Sequence, residues 1–283
     1  MKIETRNKLI GLSFISFWLI GFLLFWAFPL IFSFVMSLNQ VTIQTDRLLF
    51  EFVGFEQYHR ALFMDAEIPN VTLLFLAQSL IIIPVIVVFA LIMALLLNQK
   101  FPGRGLFRAI FFLPVVLTSG NLINELTNQE QGTLSFLQSA TVTNLVMTLP
   151  DTWALAMTNV LSSFLMVLWY SGVQMLILIA GMQSINPSVY EAAKIDGANE
   201  WANLWLITLP GITPFIFISV VYTVVDQFTT PFNPILEVIV RHFREPTTGY
   251  GYATAIAWLY FLIILLILAV VVMIFRKPLG LKK

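Results

Sequence analysis

Long apolar stretches alternate with short polar ones along most of this 283-residue chain. A helix that crosses the hydrocarbon core of a bilayer needs about 20 mostly apolar residues, and six segments reach that length: about 9–37, 72–98, 106–127, 156–181, 211–230 and 253–275. The first has the position of a signal peptide, but its apolar run is too long and no small-residue cleavage site follows, so it reads as a retained span. Pro29, Pro84 and Pro114 fall inside spans, where neighbouring helices can satisfy the freed carbonyls, and kinks are expected there. The pattern predicts one all-α transmembrane domain.

The connections differ in character. Between spans one and two, GFEQYHRALFMD within 38–71 is mixed enough to form a short interfacial helix. The link at 98–108 is short and basic. The 128–155 connection carries Leu145, Val146, Met147 and Leu149 and is apolar enough to pack on span ends. The 231–252 loop holds Pro and Gly at turn positions.

Composition sharpens the reading. The chain is 59% hydrophobic and 11% charged, with zero net charge, so nothing points to nucleic acid. The absence of cysteine excludes disulfides, thiolate metal sites and cysteine nucleophiles. His59 and His242 lie in different polar loops without a ligand-spaced partner and read as isolated surface histidines, so no metal site is expected. With the N-terminus in the cytoplasm, 11 of the 15 basic residues fall on the cytoplasmic side, and only Arg47, Arg60, Arg241 and Arg244 on the other. The positive-inside rule therefore places both termini and residues 182–210 in the cytoplasm.

That last segment is the most informative. Glu191, Lys194, Asp196 and Glu200 cluster between two spans, where a bilayer would reject them. Asn186 can cap a helix that starts with Pro187. Residues 188–195 are compatible with about two helical turns. Ala192 and Ala193 keep one face thin, and Asp196-Gly197 can end the helix in a left-handed turn. A second helix at about 199–208 carries Trp201, Leu204, Trp205 and Ile207 and has amphipathic character. The same composition suits an amphipathic helix that lies at the interface and merely connects two spans.

The pattern EAA, three residues, Gly, nine residues, Ile-x-Leu-Pro runs through Glu191-Ala192-Ala193, Gly197 and Ile207-Thr208-Leu209-Pro210. In this it resembles the integral-membrane permease subunits of binding-protein-dependent ABC importers. The fuller run YEAAKIDGANEW…ITLP, with Asp196-Gly197-Ala198, is similar to the carbohydrate-uptake branch, the maltose/glycerol-phosphate-type permeases. FVGFEQYHRAL, GRGLFRAIFFLP and the stretch from Trp169 to Gly181 extend the likeness over most of 20–275. The run FWAFPLIFSFVMSLNQ looks like the subunit type that pairs with a second, different permease.

The resemblance implies a six-helix permease fold whose 182–210 loop forms a coupling helix docked on a cytoplasmic ATPase. Tyr190, Glu191, Ala192, Ala193, Asp196, Gly197, Ala198, Leu209 and Pro210 would carry that coupling. It also implies a second permease, two ATPase subunits, an extracytoplasmic solute-binding protein and a carbohydrate substrate, in a bacterial cytoplasmic membrane, with transport by alternating access. No GxxxxGK[ST] phosphate loop is present, so ATP and Mg would bind on the partner ATPases and this chain would carry no cofactor.

Polar residues within spans are candidates for substrate contact, although helix–helix hydrogen bonding is the commoner role of neutral ones. The set is Asn121, Asn124, Asn159, Tyr170, Gln174, Tyr222, Asp226 and Gln227, with Asp226 the ionisable member. Amides and carboxylates suit sugar hydroxyls, and aromatic faces suit ring C–H surfaces. Trp169 and Trp258 fit interior packing and interfacial belts equally well. A permease of the same kind for glycerol phosphate or polyamine, an ion-coupled secondary transporter and a membrane scaffold are the rival readings.

Overall fold

A computed structural model describes residues 15–44, 47–99, 101–118, 151–230, 233–245, 249–278 and 280. They are largely helical and fall into two compact units, one of residues up to 73 with 234–263, the other of 74–233 with the chain from 264 onward. Among them, five helical stretches are long and apolar enough to cross a bilayer. Their surfaces carry many exposed Leu, Ile, Val and Phe side chains, a distribution that hydrocarbon tolerates and water does not. The chain is a multi-pass membrane protein.

In the first unit, helix α1 (Ile15–Ser37) contains a π turn at Leu23–Ala27. Pro29 follows two residues later; its ring cannot accept the ordinary helical position of the carbonyl four residues back, and a widened turn relieves that crowding. An antiparallel hairpin comes next, β1 (Asn39–Gln44) on β2 (Arg47–Phe52), in register from Asn39↔Phe52 to Gln44↔Arg47. The all-helical expectation omitted it. The strand signal lies in VTIQ and RLLFEF, rich in β-branched and aromatic residues. Helix α2 (Glu56–His59) continues as a π turn through Arg60–Met64, within the stretch expected to hold a short helix.

The chain then enters α3 (Glu67–Asn98), whose first turns belong to this unit. Helix α9 (Pro234–Arg244) and the start of α10 (Gly249–Phe275) complete it. Residues 231–252 were expected to be a loop marked by Pro and Gly turns. Instead α9 buries Ile235, Val238 and His242, at a spacing of three and four, and exposes Glu237, Arg241 and Arg244.

The core of this unit is Ala61, Ile68, Val238, Tyr252 and Ile256. Gly251 lets β1 lie directly on α10: a Cβ there would collide with the Asn39 carbonyl oxygen. Tyr58 donates to Ser37 Oγ at 2.6 Å, since the Ser37 hydroxyl is itself committed to the Phe34 carbonyl. Tyr252 donates to the Asp65 carboxylate at 2.7 Å and packs beneath the Arg60 guanidinium at 4.3 Å. His242 is buried, contrary to the surface position expected of it, with its ring against Tyr252 and Nδ1 3.4 Å from Glu245. Arg241 pairs with Glu67.

In the second unit, the remainder of α3, α4 (Arg104–Thr118), α5 (Asp151–Ser184), the 186–211 loop and α8 (Thr213–Thr229) surround a core of Ala90, Ala94, Leu97, Met175, Leu178, Ile179, Met182 and Ile212. Helix α5 starts at Asp151, so the 128–155 connection is shorter at its end than the apolar pattern suggests. Arg108 donates to the Leu97 carbonyl at 2.8 Å, satisfying one of the last acceptors of α3 with a cation at the negative end of its dipole. Gly181 on α5 has no room for a side chain: a Cβ would sit 2.6 Å from Phe215 Cγ.

Two outcomes are expected. Gly181→Ala should overpack the α5–α8 contact by about 1–3 kcal/mol, read as a lower Tm in detergent, and the penalty should shrink in a Phe215→Ala background. An undiminished penalty would contradict the packing. Burial pushes the Asp65 carboxyl up, but hydrogen bonds from Tyr252 and the Glu67 and Ile68 amides, with attraction from His242, outweigh it and leave the group below its ordinary value. A depressed folded pKa contributes stability above the unfolded value, about 3.9, and that stability is lost as pH falls through the folded pKa. The Tm advantage of the native chain over Asp65→Asn should therefore close below about pH 4. A pH-independent gap would contradict this.

Candidate functional site

The 186–211 loop is two helical arms joined by a turn. The Asn186 side chain accepts from Ser188 N–H at 3.1 Å and Pro187 opens α6 (Pro187–Ile195), as the sequence predicts. At the other end Gly197 has φ +84°. Gly197 N–H donates to the Lys194 carbonyl at 3.2 Å and Ala198 N–H to the Ala193 carbonyl at 2.9 Å, the paired bonds of a Schellman turn. Asn199 then caps α7 (Glu200–Asn203), accepting from Ala202 N–H at 2.8 Å. A π turn, Leu204–Thr208, and a short turn, Leu209–Gly211, carry the helix to α8. The second arm is thus composite where one regular helix over 199–208 was expected; Pro210 follows its π turn by two residues, as Pro29 does in α1.

One side-chain pair closes the arms on each other. Thr208 Oγ1 donates to the Asn203 carbonyl at 3.1 Å, which leaves the Tyr190 hydroxyl as donor to Thr208 Oγ1 at 3.0 Å. Tyr190, Ala193, Ala198 and Leu209 are half-buried, and Leu209 packs on the core. Glu191, Ala192, Asp196, Gly197 and Pro210 are exposed. The nine residues singled out from the sequence therefore split into those that hold the loop's shape and those that face outward. Ile195, 87% exposed at the end of α6, belongs with the outward group and went unnoticed. Its signal is position: it lies four residues beyond Glu191 on the same helical face.

A second polar cluster lies between α5 and α8. Gln174, fully buried, donates through Nε2 to Thr223 Oγ1 at 3.1 Å, and the Thr223 hydroxyl donates to the Ser219 carbonyl at 2.7 Å. Tyr170 and Thr230 share a hydrogen bond of 2.8 Å. Tyr170 and Gln174 thus serve helix–helix bonding. Tyr222 and Asp226 are one helical turn apart and half-buried, and Gln227 is half-buried beside them. Gln174 Oε1, Gln227 Oε1, Ser219 Oγ and Ser79 Oγ are buried without a protein partner among the described residues. An unsatisfied buried polar atom costs about 1–3 kcal/mol, so each of these atoms has capacity for a further hydrogen bond. Ser219, Thr223 and Thr230 were overlooked; their spacing with Asp226 along one helix is the signal. Asn159 lies on α5, and Asn121 and Asn124 fall outside the described residues. Among the described residues no group of His, Cys, Asp or Glu is arranged to hold a metal ion.

The described residues thus form a helical membrane chain with a capped, two-armed loop. No protein-family model matches it. It is 31% identical over 278 residues to the multiple sugar-binding transport system permease protein MsmF of Streptococcus mutans, covering 92% of this chain and 93% of that one. It is 28% identical over 287 residues to the probable ABC transporter permease protein YesP of Bacillus subtilis, covering 93% and 89%. In fold it is similar to a chain of a bacterial alginate ABC transporter solved with its alginate pentasaccharide-bound periplasmic protein: TM-score 0.61, 20% identity, 97% and 96% coverage. The chain belongs to the permease family of carbohydrate-uptake ABC transporters, and its role is transport rather than catalysis.

A Cβ on Gly197 would meet nothing within 4 Å, so the position demands glycine for its backbone and not for space. Gly197→Val should strain the turn by about 1–3 kcal/mol and speed tryptic cleavage after Lys194, whereas Gly197→Asn, which tolerates left-handed backbone, should change it little. Equal cleavage of both variants would contradict this assignment.

Proposed function

We propose that this chain is one of two different permease subunits of an ATP-driven importer that brings a sugar or oligosaccharide across a bacterial cytoplasmic membrane. The observation that carries the reading is the loop. Its turn and caps are satisfied internally, which leaves Glu191, Ala192 and Ile195 free to meet a partner. In this reading α6 is the coupling helix, seated on one of two ATPase subunits in the cytoplasm, with both termini on the same side of six spans. Glu191 makes charged contacts, and Ala192 allows close approach. ATP and Mg are held by the ATPases, and a solute-binding protein delivers the cargo on the opposite side.

Movement of α6 with the nucleotide-binding subunits is transmitted to the spans because Tyr190–Thr208 and Leu209 tie the loop to the core. Alternating access follows. Tyr222, Asp226 and Gln227, backed by the unpartnered Gln174 and Ser219 oxygens, offer acceptors, donors and an aromatic face to sugar hydroxyls and ring C–H groups. The name of the Streptococcus mutans relative supports a sugar as cargo. Among the described residues Asp226 is the carboxylate well inside a span, and ion-coupled transport generally uses several.

In cells offered radiolabelled mono- and oligosaccharides, Asp226→Ala should lower uptake of the accepted sugar about tenfold, the equivalent of ~1.4 kcal/mol, while ATPase co-purification persists. Glu191→Lys should lower uptake through weakened coupling at normal expression. Unchanged uptake in either variant would remove that residue from its role.

A further inference from the structure

The second arm of the loop has a side that the docking reading leaves unused. Thr208 is buried and Leu209 half-buried, whereas Trp201, Trp205 and Leu206 are 67%, 53% and 75% exposed. The two indoles meet edge-to-face with centroids 5.6 Å apart, so they form one patch. Indole combines a broad apolar ring with one N–H donor, and tryptophan collects where a bilayer's acyl chains meet its headgroups.

The patch is continuous with the exposed side of α8. Along the chain the exposed positions Trp201, Trp205, Pro210, Pro214 and Ile218 recur at intervals of four, five, four and four. The interval of five spans the π turn Leu204–Thr208, whose bonds reach one residue further than an α-helix's and so keep the stripe in phase. Backbone bonds of 2.9 Å from Ile212 N–H to the Thr208 carbonyl and from Ile216 N–H to the Ile212 carbonyl carry the helical path onward. From Trp205 to Thr229 that path spans about 36 Å at ~1.5 Å per residue. A bilayer measures about 30 Å across its hydrocarbon and ~40–45 Å with headgroups. With Thr229 at one boundary, Trp205 lies in the headgroup region of the other.

We propose that Trp201, Trp205 and Leu206 seat the second arm in the headgroup–acyl boundary, so that the partner of this face is a lipid surface. The loop then has two kinds of neighbour: protein at Glu191, Ala192 and Ile195, and membrane at the tryptophan pair. The proposal rests on the chain spanning a bilayer and not on the identity of the docked protein.

The chain has no cysteine, so single reporters in it are clean once the partner subunits are supplied with their own cysteines replaced. Trp201→Cys, Trp205→Cys, Leu206→Cys and the neighbouring polar-position control Glu200→Cys are labelled with bimane in the purified transporter complex. The complexes are placed in nanodiscs of phosphatidylcholine with or without acyl-chain bromine. The expected result is loss of fluorescence to brominated lipid at 201, 205 and 206 with little or none at 200. Leu206→Cys leaves both indoles in place and carries the test alone if the Trp variants fail to assemble. No quenching at the three positions, quenching equal to that at 200, or quenching that appears only after ATPase subunits are stripped would overturn the proposal. Quenching in a chain that purifies without any ATPase would keep it and reject the docking reading instead.

Discussion

Hydrocarbon supplies no hydrogen-bond partners, and the pairing of buried polar groups among the described residues of α5 and α8 answers to that constraint. Backbone groups are satisfied within helices; side-chain polarity is admitted only where another helix or a ligand can meet it. Gln174 and Thr223, Tyr170 and Thr230 pair across α5 and α8, which both satisfies these groups and fixes two helices side by side. Gln174 Oε1 and Ser219 Oγ, in the same seam, have no partner among the described residues.

The same constraint explains the loop. Charged and polar residues barred from the spans gather at 186–200, and there the chain spends them on caps and a turn that need no outside help. Asn186, Gly197 and Asn199 each satisfy or free a specific backbone group, and Tyr190 locks one arm to the other through Thr208. A rigid loop tied through Leu209 to the core can pass displacement from a partner into the spans; a floppy one would dissipate it.

Much of this was legible in the sequence because it rests on local rules. Apolar length announces spans, Asn-Pro announces a helix start, and Gly after Asp196 announces its end. The nonlocal features were not legible. The β1–β2 hairpin needs the register of two segments, and Gly251 needs the close approach of the Asn39 carbonyl; neither is visible at one position. His242 looks like a loop histidine until α9 turns it inward against Tyr252. In the seam, Tyr170 and Gln174 were read as polar candidates, but that they serve to join helices depends on Thr230 and Thr223, some 50–60 residues away in the chain. The outward role of Ile195 likewise required knowing which face of α6 Tyr190 holds inside.

The central claim is that α6 couples this permease to separate ATPase subunits. Affinity purification of the tagged chain from its native membrane, followed by mass spectrometry of what accompanies it, tests this most directly. Recovery of an ATPase together with a second, different permease is the predicted result. A chain that purifies alone and still transports would contradict the account.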